Sequence, residues 1–364
     1  MKPDNSLRAA RGIAVTLITS DQTDAGDAVA IALGGSAAAQ EGDVVESSQS
    51  TSAEFAVELA EHLARDAESR SAGTSIMLLD DEADIVEVSL VLEYALRARR
   101  TAVPVAIQDI VAVISVAEIM ALLFGLPAFD TRPQRRRGDD PGAAGRLAAR
   151  LEFATMVVLA DATSEEEPPG TALVKALLAR LSPMAQVVPL DVVAETRSRA
   201  PRRLAAGRAH RLGATMGWQQ ELDESKPEFT AHNPIDSFVF RDPRPFHPGR
   251  LHTAVTDQLI PERVGRIIRS RGFVRLATRA DRVGSWSTAG DVLDLDPTGM
   301  LSWHVESPPG QEIVFFALDL DHECLDAVLR DCLLTDDELI AGPERWEQLA
   351  DPFPRWPAPH AHRP

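Results

Sequence analysis

Three aspartates follow the first apolar run of the chain, where a phosphate-binding loop would stand in a nucleotide-binding domain. The β-branched run Ile13–Ile18 predicts a strand, and an apolar, helix-compatible segment follows Gly26. No lysine occurs between Lys2 and Lys175. A P-loop ends in Gly-Lys-Ser/Thr, because its glycine N–H groups, its lysine and its hydroxyl hold the phosphates and Mg²⁺. The connection instead carries acidic side chains: Asp21, Asp24 and Asp27.

These carboxylates favour a helix start over an anion site. Each one near a helix N-terminus contributes about 0.3–1 kcal/mol by interacting with the positive end of the helix. Asp24 and Asp27 also have the spacing of a capping pair, which would take the N–H groups that a phosphate needs. We therefore expect no nucleotide at Asp21, Asp24, Gly26 or Asp27, and a modified phosphate or metal site is the alternative.

The first half of the chain alternates strand-like runs with helical patterns. This order predicts an α/β domain, a parallel sheet with flanking helices of a degenerate P-loop type, whose ligands bind at the carboxyl ends of the strands. The strands are expected at Ile13–Ile18, Ser75–Leu79, Val103–Val113, Thr155–Leu159 and Gln186–Leu190. The helices are expected at Ala53–Arg65, Ile85–Arg99 and Thr171–Leu181.

Two further strand ends carry acidic residues. Asp80–Glu82 follows the second strand, and we expect it to be a solvated helix start, because Mg²⁺ there would need a phosphate to complete its coordination. Asp161 lies in Ala160–Thr163, where a GTPase carries Asn-Lys-x-Asp to read guanine. The asparagine, the lysine and the final aspartate are missing there.

The character of the sequence changes after residue 195. We predict a domain over 1–195, a linker over 196–233, an α+β module with an antiparallel sheet over 234–356, and a disordered tail over 357–364. Strands of the module are expected at Ile235–Phe240, Phe273–Ala277, Val283–Ser287, Val292–Leu295, Leu301–His304 and Glu312–Leu318. Helices are expected at His247–Leu259 and Asp321–Leu333, and a capping box at Thr335–Glu338. Its core should contain Trp286, Trp303, Phe273, Phe315 and Phe316, unless some of them form a partner-binding face.

Composition excludes several classes of function. The chain has no apolar stretch of membrane-spanning length and its first residues lack the apolar core of a signal peptide, so we expect a cytoplasmic protein with no membrane partner. The net charge of −18 opposes non-specific nucleic-acid binding, and no specific DNA binding is expected. Cys324 and Cys332 lie too far apart along a helix for a disulfide and are expected to be core thiols.

Two arginine-rich islands interrupt the acidic background. They are exposed connections on the simplest interpretation, with RNA or an acidic protein surface as the alternative. The first comprises Arg132, Arg135, Arg136 and Arg137, and the second Arg197, Arg199, Arg202, Arg203, Arg208 and Arg211. The candidate partner-binding residues are Arg199, Arg202, Arg203, Arg244, His247 and Arg250.

The second module resembles the C-terminal domain of the CobW family over about the last third of the chain. The resemblance rests on five motifs in order: Phe238–His252, Ser270–Arg279, Gly284–Gly290, Cys332–Leu339 and Asp351–Trp356. It implies an N-terminal GTPase domain of the SIMIBI class and a role in trafficking of zinc or cobalt. GTP, Mg²⁺ and Zn²⁺ are thus the cofactors that the family implies.

The chain departs from that pattern at each chemical motif. The family's Gly-Lys-Thr is replaced within Ser20–Val29, and its Cys-x-Cys-Cys metal motif should fall near Val44–Ser52, which offers no thiolate for zinc. We therefore expect no cofactor, no catalytic residue and no metal ligand.

The chain is also similar to actinobacterial relatives without a P-loop, which are linked to zinc limitation and ribosome hibernation. This resemblance implies a non-catalytic adaptor or regulator in zinc homeostasis whose partner is a protein or the ribosome. A GTP-binding metal chaperone with an atypical phosphate site is the alternative.

Overall fold

The computed structural model places two sheets in two compact units. It describes residues 12–34, 51–69, 72–80, 82–99, 101–125, 140, 142–196, 215–223 and 233–356. Of these described residues, the first unit takes those within 1–116, 149–168 and 184–204, and the second takes those within 117–148, 169–183 and 205–364. The predicted domain boundaries stay predictions, because most of the predicted linker lies outside the described residues, as does the predicted tail. None of the described helices is long and apolar enough to span a bilayer.

The first unit contains a five-stranded parallel sheet in the order β2-β1-β3-β4-β5. Its strands are β1 (Ile13–Ser20), β2 (Gly73–Leu79), β3 (Val105–Ile114), β4 (Met156–Leu159) and β5 (Gln186–Pro189). The helices between residues 23 and 181 are α1 (Thr23–Gly34), α2 (Ser52–Ser69), α3 (Ile85–Ala98), α4 (Val116–Leu122), α5 (Ala143–Phe153) and α6 (Thr171–Leu181). A 3₁₀ helix, Leu190–Glu195, follows β5. The predicted parallel sheet is confirmed.

Strand β1 is apolar because both of its faces are covered. Val15 and Leu17 are fully buried in a cluster with residues of α2 and α3, such as Leu59 and Leu92. Ile18 belongs to a second cluster with Val29 of α1 and with residues of β3 and β4. A strand that is buried on both sides loses the apolar–polar alternation of a half-exposed one. The two clusters therefore fix β1 as an interior strand of the sheet.

The second unit contains a five-stranded antiparallel sheet in the order β6-β10-β7-β8-β9. Its strands are β6 (Ile235–Asp242), β7 (Arg266–Val274), β8 (Arg282–Ala289), β9 (Val292–Leu301) and β10 (Gln311–Leu318). Its later helices are α7 (Met216–Leu222), α8 (Pro248–Asp257), α9 (Pro261–Val264), α10 (His322–Asp331), α11 (Asp336–Ala341) and α12 (Pro343–Trp346), with a 3₁₀ turn at Ala277–Arg279. The predicted α+β module is confirmed, as is the capping box of Thr335 and Glu338.

Two strands of this sheet differ from the prediction. Strand β7 begins at Arg266 and ends at Val274, before the predicted end at Ala277. Strand β9 is a single strand that passes through Pro297 and Gly299, whereas two separate strands were expected on either side of them. It pairs only with β8 among the described strands, and an edge strand tolerates a proline because it needs only one row of ladder hydrogen bonds.

The core of the second unit confirms most of its expected aromatic residues and excludes one. Phe273, Phe315 and Trp286 are fully buried, and Phe316 is nearly so. The prediction for Trp303 is wrong, since 70% of its surface is exposed. Strand β9 ends at Leu301, so the alternation that would have turned Trp303 inward has stopped before it.

The last described residues form a strap that closes this core, which we define as residues 351–356. The carboxylate of Asp351 accepts hydrogen bonds from Thr278 Oγ1 at 2.5 Å and from Arg279 Nε at 2.9 Å. Trp356 donates from Nε1 to the carbonyl of Leu295 on β9 at 2.9 Å, and the Arg279 guanidinium lies 4.5 Å from its ring centroid. The strap therefore joins β9 to the 3₁₀ turn.

The absence of a side chain at Gly284 makes room for Trp356. A Cβ atom on Gly284 would lie 2.7 Å from the Trp356 ring, closer than packed carbons approach. The ring also packs against the buried cluster that contains Trp286 and Phe315. We conclude that Trp356 is part of the core although it lies near the end of the described chain.

We predict that Trp356→Ala lowers the free energy of unfolding by about 2–4 kcal/mol, because it removes a half-buried aromatic side chain and its hydrogen bond. Trp303→Ala is the matched control, and its effect should stay within about 0.5 kcal/mol because the side chain is exposed. Urea unfolding followed by circular dichroism measures both. Equal losses in the two variants would contradict the role of the strap.

Candidate functional site

The connection between β1 and α1 is a turn of Asp21 and Gln22 alone. Ser20 Oγ donates to the Gln22 carbonyl at 2.7 Å, and the Gln22 N–H donates back to Ser20 Oγ at 3.2 Å. The Gln22 carbonyl also accepts the N–H of Gly26 at 2.9 Å, which begins the helical hydrogen bonding. The turn thus closes on itself through its own backbone and one hydroxyl.

This turn does not fit a P-loop phosphate cradle. A P-loop needs several residues between strand and helix, because their N–H groups must all point at one anion. Here the connection has room for two residues, and the Gln22 N–H already has an acceptor. The segment 12–34 contains neither lysine nor arginine, so this segment supplies no side-chain cation.

The three aspartates of this segment have different positions. Asp21 lies in the turn and is partly buried, whereas Asp24 and Asp27 lie on exposed positions of α1. The capping prediction differs from the structure, because α1 begins at Thr23 and Asp24 therefore lies inside the first turn. Negative charge in the first turn still stabilises the helix through its dipole.

Gly26 allows the close approach of α1 to the end of β1. A Cβ atom on Gly26 would lie 2.9 Å from Ser20 Cβ and 3.1 Å from Leu78 Cδ1 of β2. The expected glycine of a phosphate loop therefore has a packing role here, between a helix and two strands.

Asp161 binds the protein itself at the position where a GTPase reads its base. Its Oδ1 accepts the N–H of Val116, the first residue of α4, at 2.8 Å. An N–H at a helix start has no partner inside the helix, so this carboxylate satisfies one of those donors. The aspartate after β4 thus connects that strand end to the end of β3.

Other carboxylates at the same sheet edge also serve as internal acceptors, which the sequence did not reveal. Asp84 caps α3 by accepting the N–H groups of Val86 and Glu87. Asp80 Oδ1 accepts the N–H of Glu82 at 2.9 Å, whereas the helix start expected at Asp80–Glu82 lies further along, at Ile85.

After β5, Asp191 accepts the N–H of Ser164 at 3.0 Å and its hydroxyl at 2.5 Å. The hydrogen bonds from the Ser164 side chain and backbone lower the pKa of Asp191. The contact joins the loop after β4 to the 3₁₀ helix after β5, and the long sequence separation of the two residues hid it from pattern analysis.

The structure places three of the candidate partner-binding residues at the entry of α8. Arg244 forms a bidentate pair with Asp242, with both N–O distances at 3.1 Å. His247 caps α8 by accepting the N–H of Arg250 on Nδ1 at 3.3 Å, as the predicted helix entry implied. Burial and the nearby charge of Arg250 lower the pKa of His247.

Arg250 connects α8 to α11. Its guanidinium donates to both carboxylate oxygens of Glu338, at 2.9 and 2.7 Å, and to the carbonyl of Leu333 at 2.7 Å. The hydrogen bonds from Arg250 lower the pKa of Glu338 to about 2. The partner-binding role of Arg244, His247 and Arg250 stays a prediction, while the structure shows that all three have intramolecular contacts.

The remaining candidates are placed as follows. Arg199, Arg202 and Arg203 lie outside the described residues, as do the first arginine island and nearly all of the segment expected to replace the metal motif. Among the residues that the structure describes, no group of three His, Cys, Asp or Glu side chains could hold a metal ion. Both cysteines are free thiols, and burial raises the pKa of Cys332 to about 12.

Comparison with known proteins identifies the second module. Residues 235–333 match the family model of the cobalamin synthesis protein CobW C-terminal domain. The chain carries a CobW C-terminal domain. This match confirms the resemblance for the module with the antiparallel sheet, and the sheet strands β6 to β10 all lie within the matched residues.

Two curated proteins are similar over a longer part of the chain. Zinc-regulated GTPase metalloprotein activator 1 of Dictyostelium discoideum is 26% identical over 248 residues, 59% of this chain and 49% of that protein. Zinc chaperone Rv0106 of Mycobacterium tuberculosis is 27% identical over 255 residues, 60% of this chain and 57% of that protein. The chain spans about half the length of the curated relatives it matches.

This chain also aligns with a solved structure, at low overall similarity. The Zn(II)-bound YjiA GTPase from E. coli aligns with a TM-score of 0.34 and 14% sequence identity, over 89% of this chain and 99% of that one.

We predict that Gly26→Val costs about 1–3 kcal/mol of unfolding free energy, because the new side chain must displace Ser20 or Leu78. Ala28→Val is the matched control, because Ala28 lies at an exposed position of the same helix. The lower helix propensity of valine should reduce its free energy of unfolding by about 0.7 kcal/mol or less. Urea denaturation measures both. Equal losses would show that the helix has room to move away from β1.

We predict that the stabilising effect of Glu338 depends on pH. Its folded pKa of about 2 lies below the ordinary glutamate value of 4.5, so its contribution is complete above pH 4.5 and is lost as pH falls toward 2. At neutral pH the free energy of unfolding of the wild type should exceed that of Glu338→Gln by about 1 kcal/mol. The difference is small because the side chains of Arg250 and Glu338 are both partly exposed and water screens the pair.

The measurement is urea unfolding of both proteins at pH 7 and at acidic pH, with Glu344→Gln as the control for loss of one surface charge. The difference between wild type and Glu338→Gln should shrink at the acidic pH. A difference that is the same at both pH values would contradict the role of the Arg250 pair.

Proposed function

We propose that this chain is a non-catalytic adaptor or regulator in zinc homeostasis, related to the CobW-like proteins. The observation that carries the proposal is the two-residue connection of Asp21 and Gln22 between β1 and α1. The printed names of the two curated relatives support the zinc context, since one is a zinc-regulated activator and the other a zinc chaperone.

The physical argument concerns the free energy of binding a triphosphate. Such a ligand brings several negative charges and must exchange water for donors of the protein. The turn offers a carboxylate at Asp21 and an N–H of Gln22 that is already bonded. Asp24 and Asp27 add negative charge to the start of α1, so both the local field and the donor supply oppose a phosphate.

Asp161, which follows β4 where a GTPase would carry its base-reading motif, supports the same conclusion. Oδ1 of Asp161 accepts the N–H of Val116, so a purine that took this oxygen would leave a helix donor without its acceptor. Breaking such a contact costs about 0.5–2 kcal/mol, which a ligand would have to supply. Neither end of the candidate nucleotide site thus carries groups prepared for GTP.

The competing function is a metal-chaperone GTPase with an atypical phosphate site. It is favoured by the word GTPase in the name of the Dictyostelium relative. It would require a cation in place of the missing lysine, and no residue between 12 and 34 supplies one. Ribosome association under zinc limitation stays a prediction of the resemblance, because Arg199, Arg202 and Arg203 lie outside the described residues.

Calorimetric titration of the full chain with GTP, GDP and ATP in the presence of Mg²⁺ tests the proposal. We expect no saturable heat, with dissociation constants above about 1 mM. Micromolar binding of any of the three nucleotides would overturn the adaptor function.

A second titration separates loop length from charge. The variant with Asp21, Asp24 and Asp27 all changed to Ala removes the repulsion but keeps the two-residue turn. If turn length is the controlling feature, this variant also binds no nucleotide. Binding by the variant alone would assign the exclusion to the carboxylates.

A further inference from the structure

The strap is attached to the second unit at three positions along its length. Asp351, Phe353 and Trp356 are partly buried, whereas the three residues between them are exposed. Among the described residues, no backbone-to-backbone hydrogen bond involves the strap. Such bonds make up about two-thirds of the hydrogen bonds of folded proteins. The strap is therefore held as a bound peptide is held, by a few anchoring groups.

The first anchor is the carboxylate of Asp351. It accepts hydrogen bonds from Thr278 Oγ1 at 2.5 Å and from Arg279 Nε at 2.9 Å, while Arg279 Nη2 donates to the Phe353 carbonyl at 3.1 Å. The side chains of Arg279 and Asp351 are only 12% and 17% exposed, so little water screens the pair. Arg279 thus binds both a carboxylate and the backbone carbonyl two residues after it.

The other two anchors are aromatic rings. The ring of Phe353 meets the His252 ring edge-on, with the ring centroids 5.7 Å apart. Trp356 donates from Nε1 to the Leu295 carbonyl at 2.9 Å, and its ring occupies the space that a Cβ atom on Gly284 would take. A tryptophan that fills a shaped site is among the residues that contribute most to binding.

We propose that the groove beneath the strap is a peptide-binding site, which the strap occupies within its own chain. The groove consists of His252, Thr278, Arg279, Gly284 and the carbonyl of Leu295. Its ligand is a segment of a partner protein with an aspartate, an aromatic residue two positions later and a tryptophan five positions after the aspartate. The inference goes beyond the proposed function, because none of the groove residues lies at the carboxyl edge of the parallel sheet.

The prolines of the strap suit it to this mode of binding. Pro352 and Pro354 fix the backbone angle φ at two of the six positions, so the free segment has less conformational entropy to lose when it binds. Both prolines are exposed in the structure. The groove therefore contacts the anchors and leaves the positions between them open to other contacts of a partner.

A partner segment must displace the strap, which is present at an effective concentration of about millimolar because it belongs to the same chain. A partner protein meets this requirement by adding contacts outside the groove. A segment that replaces the strap makes the same three anchoring contacts, so the core of the second unit stays closed.

A second copy of the chain is a poorer ligand for the groove. Its strap is identical, so an exchange gains no contact in the groove and loses the freedom of two separate chains. It also brings two net charges of −18 together. The strap itself is neutral, since Asp351 and Arg355 balance, so a partner that carries the same segment need not be acidic.

The experiment titrates a labelled synthetic peptide, residues 349–356 with capped ends, into the full chain and follows fluorescence anisotropy. The opened variant is Trp356→Ala, whose strap no longer fills the ring site. The blocked variant combines Trp356→Ala with Gly284→Ala, whose methyl group takes part of the space of the ring. Trp303→Ala is the matched control, because it removes an exposed tryptophan and leaves the strap unchanged.

We expect the peptide to bind the opened variant at least about tenfold more tightly than wild type or Trp303→Ala, in which the intact strap competes. The blocked variant should show no saturable binding. A peptide that carries Trp356→Ala should bind the opened variant at least about tenfold more weakly than the unchanged peptide does.

Far-ultraviolet circular dichroism checks that each variant keeps its fold. If Trp356→Ala unfolds, Asp351→Ala provides the test, because it releases the strap at its other end. The peptide should then bind Asp351→Ala more tightly than wild type.

Three outcomes would overturn the inference: no saturable binding to an opened chain that keeps its fold, equal binding by the opened and blocked variants, or equal binding of the peptides with and without tryptophan. A wild-type dimer in light scattering that Trp356→Ala abolishes would assign the groove to a second copy, and the partner protein would be wrong. Nucleotide titration, which tests the proposed function, depends on none of these results.

Discussion

The short connection between β1 and α1 is the constraint on which the first unit depends. Strand β1 lies between β2 and β3, so its carboxyl end is fixed by ladders that reach Thr19 on the β2 side and Ser20 on the β3 side. Helix α1 starts three residues after Ser20, and Gly26 permits the contact that this early start produces. In a protein that holds phosphate, the loop keeps the helix start at a distance and the anion occupies the space between them. In this protein α1 instead packs directly against β1 and β2 at Gly26.

Carboxylates along the carboxyl edge of the parallel sheet accept hydrogen bonds from the protein itself. Asp161 bonds to the start of α4, Asp84 caps α3, and Asp191 bonds to the loop that carries Ser164. Each of these carboxylates stabilises a loop or a helix terminus. A ligand at this edge would compete with hydrogen bonds that already exist, and it would gain only the difference between old and new contacts.

The sequence allowed both sheets to be predicted, because buried parallel strands form long apolar runs and the module strands carry bulky residues. It did not locate the start of β7, since Arg266 and Arg269 interrupt the apolar pattern of that strand. It divided β9 at Pro297 and Gly299, because the tolerance of an edge strand for proline depends on its neighbours in space. The core prediction for Trp303 failed because it assumed a strand after Leu301, where β9 in fact ends.

The candidate site shows where sequence reasoning loses information. The missing lysine and the three aspartates could be read directly, but the length of the turn required the position of Thr23 as the first helical residue. Contacts over long sequence separations, such as Ser164 with Asp191 and Arg250 with Glu338, leave no local pattern. Such contacts decide whether a charged residue is available to a partner. Arg250 appears in the sequence as a free cation and in the structure as the link between two helices.

The second unit is held together by contacts between residues far apart in the sequence. The strap joins β9 to the 3₁₀ turn, and the Arg250 contact joins α8 to α11. The proposed adaptor function requires that this fold stay intact and requires no nucleotide at the carboxyl edge of the parallel sheet. Contacts such as these, which fix the framework of the CobW C-terminal domain, are therefore the ones on which that proposed function depends.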